Sequence, residues 1–282
     1  MLNDFCAFIL THGRPDNVIT YNTLLRHGYT GPIYIVIDNE DKTANRYYEL
    51  FGDKVVMFDK LSVAKSIDEG DNFDDRRAII YARNACFDIA KKLGYTYFIE
   101  LDDDYVDFMY KLDSNYESIN KEDIKKLDNI FGYLLDYYKS INAASIAIAQ
   151  GGDFLGGKDG NAAKHPRFRK CMNSFICSTN RQFQFNGRIN EDVNTYTNLA
   201  SRGSLFLSIP NVALQQKATQ ANKGGMTEIY LNNGTYVKSF YTVMYQPSSV
   251  CIKMMISNHP RLHHSISWGN TVPMIISEEY KK

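Results

Sequence analysis

The chain has 282 residues, long enough to bury a proper core as one large domain or two small ones. Its 32 basic and 32 acidic residues cancel to a formal net charge of +0, which excludes a global field that would gather nucleic acid or anionic membrane. Any polyanionic partner then needs a local basic patch.

Phe5-Cys6-Ala7-Phe8-Ile9-Leu10 reads as a buried strand, closed by the turn Thr11-His12-Gly13-Arg14. Pro15 suits a first helical turn, with Val18, Tyr21 and Leu25 on one face until Gly28. Ile33-Tyr34-Ile35-Val36-Ile37 is a second strand, stopped at Asp38-Asn39. Arg46 to Phe51 reads as helix, and Val55-Val56-Met57-Phe58 as a third strand ending at Asp59. Residues 60–75 are polar and acidic and predict a loop, with Asp74 or Asp75 capping the next helix. That helix carries an apolar stripe of Ile79, Ala82, Cys86, Ile89 and Leu93 and ends at Gly94.

The strand Tyr97-Phe98-Ile99-Glu100-Leu101 follows and runs into Asp102-Asp103-Asp104. A helix is predicted from Asp123 to Tyr138, then a strand from Ala143 to Ala149. The glycines from Gly151 to Gly160 match no phosphate-binding fingerprint and predict a loop beside a site. Cys171 to Ser178 reads as a strand, Glu191 to Leu199 as a helix, and Asn233-Gly234 as a hairpin turn between Tyr230-Leu231 and Tyr236-Val237. No linker divides the chain, so one continuous domain is expected over 1–282.

Alternating strands and helices imply a mainly parallel sheet flanked by helices. Ligands of such sheets lie beyond the carboxyl ends of the strands. The turn after Leu10, Asp38, Asp59 and the Asp102 cluster all fall there. Three successive carboxylates repel one another, and a fold tolerates them where a cation neutralises them. Strand alternation tends to put Asp102 and Asp104 on one side, an arrangement suited to a hard divalent cation that in turn holds a diphosphate. An acidic loop is the plain alternative.

The five cysteines are scattered without a C-x-x-C pair, and Cys6 and Cys86 sit in apolar patterns, as buried thiols of a reducing compartment do. Met1-Leu2-Asn3-Asp4 carries no basic region, and Phe5 to Leu10 is too short for a signal peptide or span. A soluble, cytoplasmic protein without a membrane partner is expected.

Four pieces stand in a particular order: Thr11-His12-Gly13-Arg14-Pro15 after a strand, Asp38-Asn39 after another, Arg83-Asn84 leading to Asp102-Asp103-Asp104, and Gly187-Arg188-Ile189-Asn190-Glu191-Asp192 at a helix start. The order resembles the inverting, family-2-like glycosyltransferases of the GT-A fold, over about residues 4–205. The resemblance implies an α/β fold with a nucleotide-sugar-binding half (1–110) and a mixed acceptor-binding and catalytic half (111–282) that includes a C-terminal β hairpin.

It also implies the roles. Thr11, His12 and Arg14 would face uracil and ribose of a UDP-sugar, and Asp38 would bond the base or ribose. Arg83 would lie near the diphosphate, with Asp102 and Asp103 on the donor. Asp102 and Asp104 would ligate Mn²⁺ or Mg²⁺, completed by a late histidine, for which His259 is preferred over His263 and His264. Asp192 would be the base, with Glu191 beside it. The plain readings stand next to these: Arg83 as an exposed helix residue, Asp38 as a turn residue, Glu191 or Asp192 as helix-end groups.

The chain is also similar, more loosely, to phage glycosyltransferases associated with TET/JBP-type base oxygenases, which add sugars to hydroxymethylated pyrimidines in DNA. The likeness lies in Leu10-Thr11-His12-Gly13-Arg14, the Asp102–Asp104 cluster, Asn190-Glu191-Asp192 and Gly224-Gly225-Met226-Thr227. A basic stretch with Lys158, Lys164, His165, Arg167, Arg169 and Lys170, followed by Arg181 and Arg188, suits a phosphate track for such an acceptor. A glycan, lipid or protein acceptor, a nucleotidyltransferase, and a non-catalytic nucleotide- or glycan-binding module are the alternatives. The nucleotidyltransferase lacks its phosphate-gripping loop, because Gly13-Arg14 is too short.

Overall fold

The computed structural model describes residues 2–71, 76–113, 115, 117–150, 159–160, 164, 171–172, 174–217, 237–256, 260–271, 278 and 281. The elements in chain order are β1 (Phe5–Leu10), α1 (Ile19–Arg26), β2 (Ile33–Asp38), α2 (Ala44–Phe51), β3 (Val55–Phe58), α3 (Lys60–Ala64), α4 (Ile80–Leu93), β4 (Tyr97–Asp102), β5 (Tyr105–Leu112) and β6 (Ser118–Asp123). Then come α5 (Leu127–Ser140), β7 (Ser145–Gln150), β8 (Phe175–Ser178), α6 (Glu191–Ser201), β9 (Phe206–Gln216), α7 (237–245), β10 (Val250–Met255), β11 (Arg261–Ile266) and α8 (Trp268–Thr271).

The main sheet has nine strands in the order β3-β2-β1-β4-β8-β7-β9-β5-β6. The β3-β2-β1-β4 part is parallel throughout, as expected of a strand–helix alternation. Beyond β4 the sheet is mixed: β8 is antiparallel to both neighbours, while β7 and β9 run parallel. β10 and β11 form a separate antiparallel pair.

The pleat divides the core in two. Phe5, Ala7 and Ile9 of β1 pack with residues of α1 and α5, whereas Cys6, Phe8 and Leu10 pack with α4 and α6. On β4, Phe98 shares the α4 side, so the same alternation turns Glu100 and Asp102 toward α4 as well. The register pairs Leu10 with both Val36 and Asp102, which aligns the strand ends carrying Thr11, Asp38 and Asp103.

Several expectations need correction. The stretch predicted as a loop contains α3, whose first turn is capped by the Asp59 carboxylate accepting from Ser62 N. Asp123 closes β6 in antiparallel pairing with Met109, and the helix begins only at Leu127. α1 buries Thr20, Thr23 and Leu24, not the stripe through Leu25, which is 49 % exposed. The reason is polar: Thr20 is needed at the Asp102 turn, described below. Val237 lies in α7 and not in a strand, and the predicted hairpin turn at Asn233-Gly234 lies outside the described residues, as do Asp74 and Asp75. Cys6, Cys86, Cys171 and Cys177 are buried. Among the described residues no helix is long and apolar enough to cross a membrane.

Candidate active site

The aligned ends of β1, β2 and β4 bring the first motifs together. Thr11 Oγ1 donates to Asp103 Oδ2 at 2.6 Å and lies 2.9 Å from the Tyr47 hydroxyl. Arg14 Nη2 sits 3.1 Å from Asp103 Oδ1. Asp103 is thus buried and satisfied from two sides, and Thr11 and Arg14 brace it. Burial still pushes its carboxyl up to about 6, against the pull of Arg14. One strand over, His12 Nδ1 is 2.7 Å from Asp38 Oδ2, and Lys60 Nζ is 3.3 Å from the same oxygen. Burial alone would raise Asp38, but the His12 hydrogen bond and the Lys60 ammonium hold it below the ordinary carboxylate range. The His12 side chain stays 42 % exposed, so it is the accessible member of this group.

Thr20 holds the backbone of the Asp102–Asp104 turn at three points. Thr20 Oγ1 donates to Asp102 O at 2.6 Å and accepts from Tyr105 N at 2.9 Å, while Thr20 N donates to Asp103 O at 3.1 Å. The amide would otherwise be one of the unsatisfied donors at a helix start. Asp104 Oδ1 is buried without a hydrogen-bond partner among the described residues. Burial raises the Asp104 carboxyl above its ordinary value, only partly offset by the Arg14 charge. A buried carboxylate oxygen with no donor is costly unless something positive meets it. Hard oxygen donors suit Mg²⁺ or Mn²⁺, so Asp102 and Asp104 fit such an ion. Among the described residues no group of three or more His, Cys, Asp and Glu side chains is placed to hold a metal ion by itself. Two carboxylates with phosphate oxygens and water are a usual Mg²⁺ donor set.

Arg83 of α4 is the hub. It is 1 % exposed. Its Nε lies 3.0 Å from Glu191 Oε1, its Nη1 3.4 Å from Glu100 Oε2 and its Nη2 3.0 Å from Asp102 Oδ1. The rings of Phe175 and Phe185 lie 5.1 and 5.8 Å from the guanidinium carbon. The reading of Arg83 as an exposed helix residue is therefore wrong. One cation faces three carboxylates, so the cluster is short of positive charge. Burial pushes Glu100 up to about 8 and Asp102 up to about 7, against the pull of Arg83, and raises Glu191 with the help of the Asp192 charge.

The carboxyls of this hub and that of Asp103 titrate higher in the folded chain than in the unfolded one. Protonation therefore favours folding, and stability is lost as pH rises through about 6 to about 8. The melting temperature of metal-free protein should fall across that interval, and Mg²⁺ should flatten the fall; a profile without slope would show that the cluster stays ionised unaided. Arg83→Met leaves three buried carboxylates with no cation, at a cost of about 3–5 kcal/mol above the interval. Denaturant unfolding at high and low pH should show the deficit shrinking in acid; an equal deficit at both would mean lost packing.

The second motif meets Arg83 from the other side. Gly187 has φ +82°, and a Cβ there would lie 2.4 Å from Asn194 Nδ2, so both backbone and space demand glycine. Asn190 has φ +58°, the left-handed region that asparagine tolerates, and its Nδ2 donates to Lys238 O at 2.7 Å. α6 starts immediately after, with Glu191 on Arg83 and with Asp192 Oδ1 accepting from Val193 N at 2.7 Å. The face this helix buries is largely polar, including Asn194, Thr195 and Thr197. Buried polar faces of this kind are uncommon in helices kept for packing alone.

Asp38, His12, Asp102, Asp103, Asp104, Arg83, Glu191 and Asp192 thus share the carboxyl-end region through direct contacts or short links. Three residues missed in the sequence belong with them: Thr20, Lys60 and Glu100. The acceptor residues fare differently. Arg188 is buried, with its Nη2 2.7 Å from Asp71 Oδ2, so it is a strut and not a surface cation. Arg181 Nη1 donates to the carbonyls of Tyr138, Ile141 and Ala143 and so closes the end of α5. Lys164 is exposed and pairs with Asp159 at 3.1 Å. Arg167, Arg169, His165 and the preferred metal histidine His259 lie outside the described residues, as do Lys158, Lys170 and Gly224-Gly225-Met226-Thr227.

Residues 5–225 match the family described as TET-Associated Glycosyltransferase. No curated protein matches the chain in sequence. Among solved structures, the chain is similar to the mannosyltransferase PcManGT from Pyrobaculum calidifontis in complex with GDP-Man and Mn²⁺, at 12 % identity and a TM-score of 0.44, covering 86 % of this chain and 73 % of that one. It is also similar to S. aureus TarS 1–349 in complex with UDP-GlcNAc, at 11 % identity and a TM-score of 0.43, covering 86 % of this chain and 66 % of that one, just under two thirds.

Proposed function

The chain belongs to the TET-associated glycosyltransferase family, and from that premise we propose that it moves a sugar from a UDP-sugar to 5-hydroxymethylpyrimidine in DNA, with inversion at the anomeric carbon. The observation that carries the reading is the meeting of the two motifs on one guanidinium. Asp102 at a strand end and Glu191 at a helix start each lie 3.0 Å from Arg83, so the donor carboxylates and the carboxylates beside the acceptor face one region.

In this reading His12, exposed and oriented by Asp38, meets the base, while Asp38 and Lys60 form its charged floor. Asp102 and Asp104 would hold Mg²⁺ or Mn²⁺. Such an ion would supply positive charge to the departing nucleoside diphosphate. Arg14 and Thr11 keep Asp103 from competing for that ion by holding both of its oxygens. Asp192 takes the proton from the incoming hydroxymethyl oxygen as that oxygen bonds to the anomeric carbon from the face opposite the leaving group. The sugar–phosphate bond breaks in the same displacement, which gives the inverted product.

The acceptor is supported by the family and by the basic stretch around Lys164, Arg167 and Arg169. Arg188 and Arg181 do not contribute to a track. Incubation of UDP-sugars with duplexes carrying hydroxymethylated or plain pyrimidines, with and without metal, tests the assignment by mass spectrometry of the nucleosides. Transfer is expected only to the hydroxymethylated strand. DNA affinity should fall steeply with salt. An Arg167→Ala, Arg169→Ala double variant should reduce that slope by about 1 for each phosphate it no longer neutralises. Transfer to a glycan, lipid or protein with no DNA binding would move the acceptor.

A further inference from the structure

We propose that Arg83 is a positioning residue that couples loading of the donor side at Asp102 to the placement of α6, the helix that carries Glu191 and Asp192. The proposal rests on the donor reading above and adds a connection between its two halves. Arg83 spends its nitrogens on three carboxylates, Glu100 and Asp102 of β4 and Glu191 of α6, and two of these are the ends of the coupled path: Asp102 Oδ1 and Glu191 Oε1, each at 3.0 Å. Its aromatic neighbours Phe175 and Phe185 leave the guanidinium little room for other partners. Asn84, the next residue of α4, pins the approach to α6 in a reciprocal pair: its Nδ2 donates to Phe185 O at 3.0 Å and its Oδ1 accepts from Phe185 N at 2.9 Å.

The electrostatics set the direction. Without a divalent cation, Asp102, Glu100 and Glu191 compete for one guanidinium. A cation drawn to Asp102 and Asp104 takes over part of Asp102 and repels Arg83, which leaves the guanidinium more fully to Glu191 and Glu100. Donor loading then tightens the Arg83–Glu191 bond and fixes the start of α6. By linkage, whatever orders α6 strengthens donor loading to the same extent.

The chain contains a built-in reporter of α6. Its one tryptophan, Trp268, stacks on Tyr196 of that helix, with ring centroids 6.0 Å apart and planes 11° apart. The experiment titrates Mg²⁺ with UDP, reads Trp268 emission and amide exchange across residues 192–199, and measures UDP affinity by calorimetry. Wild type should bind Mg²⁺–UDP, shift its emission and slow exchange by about fivefold or more. Glu191→Gln keeps the Asp102 end intact. It should bind Mg²⁺–UDP within about threefold of wild type and lose the α6 response, with Arg83→Lys losing it too. An undiminished response in Glu191→Gln overturns the coupling, and so does loss of UDP binding there, which would make Glu191 a donor contact in its own right. If wild type binds no Mg²⁺–UDP, the donor reading fails and the coupling falls with it, a result distinct from intact binding with an unchanged response.

Discussion

Asp104→Ala should leave a protein that folds at least as well as wild type and transfers almost no sugar. The two halves of that expectation come from the same atom. Asp104 Oδ1 is buried and has no hydrogen-bond donor among the described residues, so that oxygen contributes no hydrogen bond to the fold. Burial raises its carboxyl, which means the ionised form is disfavoured where it stands. Deleting it should be neutral or stabilising in metal-free protein. If Asp104 is a ligand, transfer loses the stabilisation of the leaving diphosphate, several kcal/mol, or about three orders of magnitude or more in rate. Mg²⁺ should raise the melting temperature of wild type and not of the variant. Normal turnover by the variant, or wild-type activity in excess chelator, would remove the metal from the mechanism. A variant that is inactive because it unfolds would show Asp104 to be a structural residue after all.

Much of the donor half is legible in the sequence because it rests on local patterns. β1, β2, β3, β4 and α4 follow apolar runs and a stripe that ends in glycine, and these are signals of the chain itself. The aspartates at strand ends follow from the same runs. What is not legible depends on partners distant in sequence. For Arg83 an exposed helix residue stands as the plain alternative to a place near the diphosphate, and only the fold shows that it meets carboxylates 17, 19 and 108 positions away. Thr20 looks like a weak helix residue, yet it holds the Asp102 turn from 82 positions away. Lys60 reads as loop in its acidic surroundings, although Asp59 offers the signal of a helix cap. On the acceptor side, charge alone reads as surface. Arg188 and Arg181 are instead consumed by Asp71 and by the carbonyls that end α5, a use that a count of basic residues cannot reveal.

Asp192→Asn should slow the chemical step by about two to four orders of magnitude while leaving the fold and UDP affinity near wild type. The structure sharpens the choice between the two acidic residues at the start of α6. Glu191 is committed: Arg83 Nε holds its Oε1 at 3.0 Å, deep in the charged hub. Its Oε1 is turned into the hub and held there, so it meets an incoming hydroxyl only if the bond to the one cation shared with Glu100 and Asp102 opens. Asp192 has no ion pair among the described residues, and its Oδ1 accepts from Val193 N, a bond an asparagine oxygen can also accept. The substitution therefore preserves the helix start and removes only the basicity. Glu191→Gln carries a different signature. It relieves a buried surplus of negative charge, so stability should hold or rise, while the link from Arg83 to α6 is cut. Single-turnover rates, melting temperatures and UDP affinities of the two variants separate the roles. If Asp192→Asn turns over normally and Glu191→Gln alone loses the chemical step, the proton goes to Glu191, and the Arg83 bond must open during the reaction.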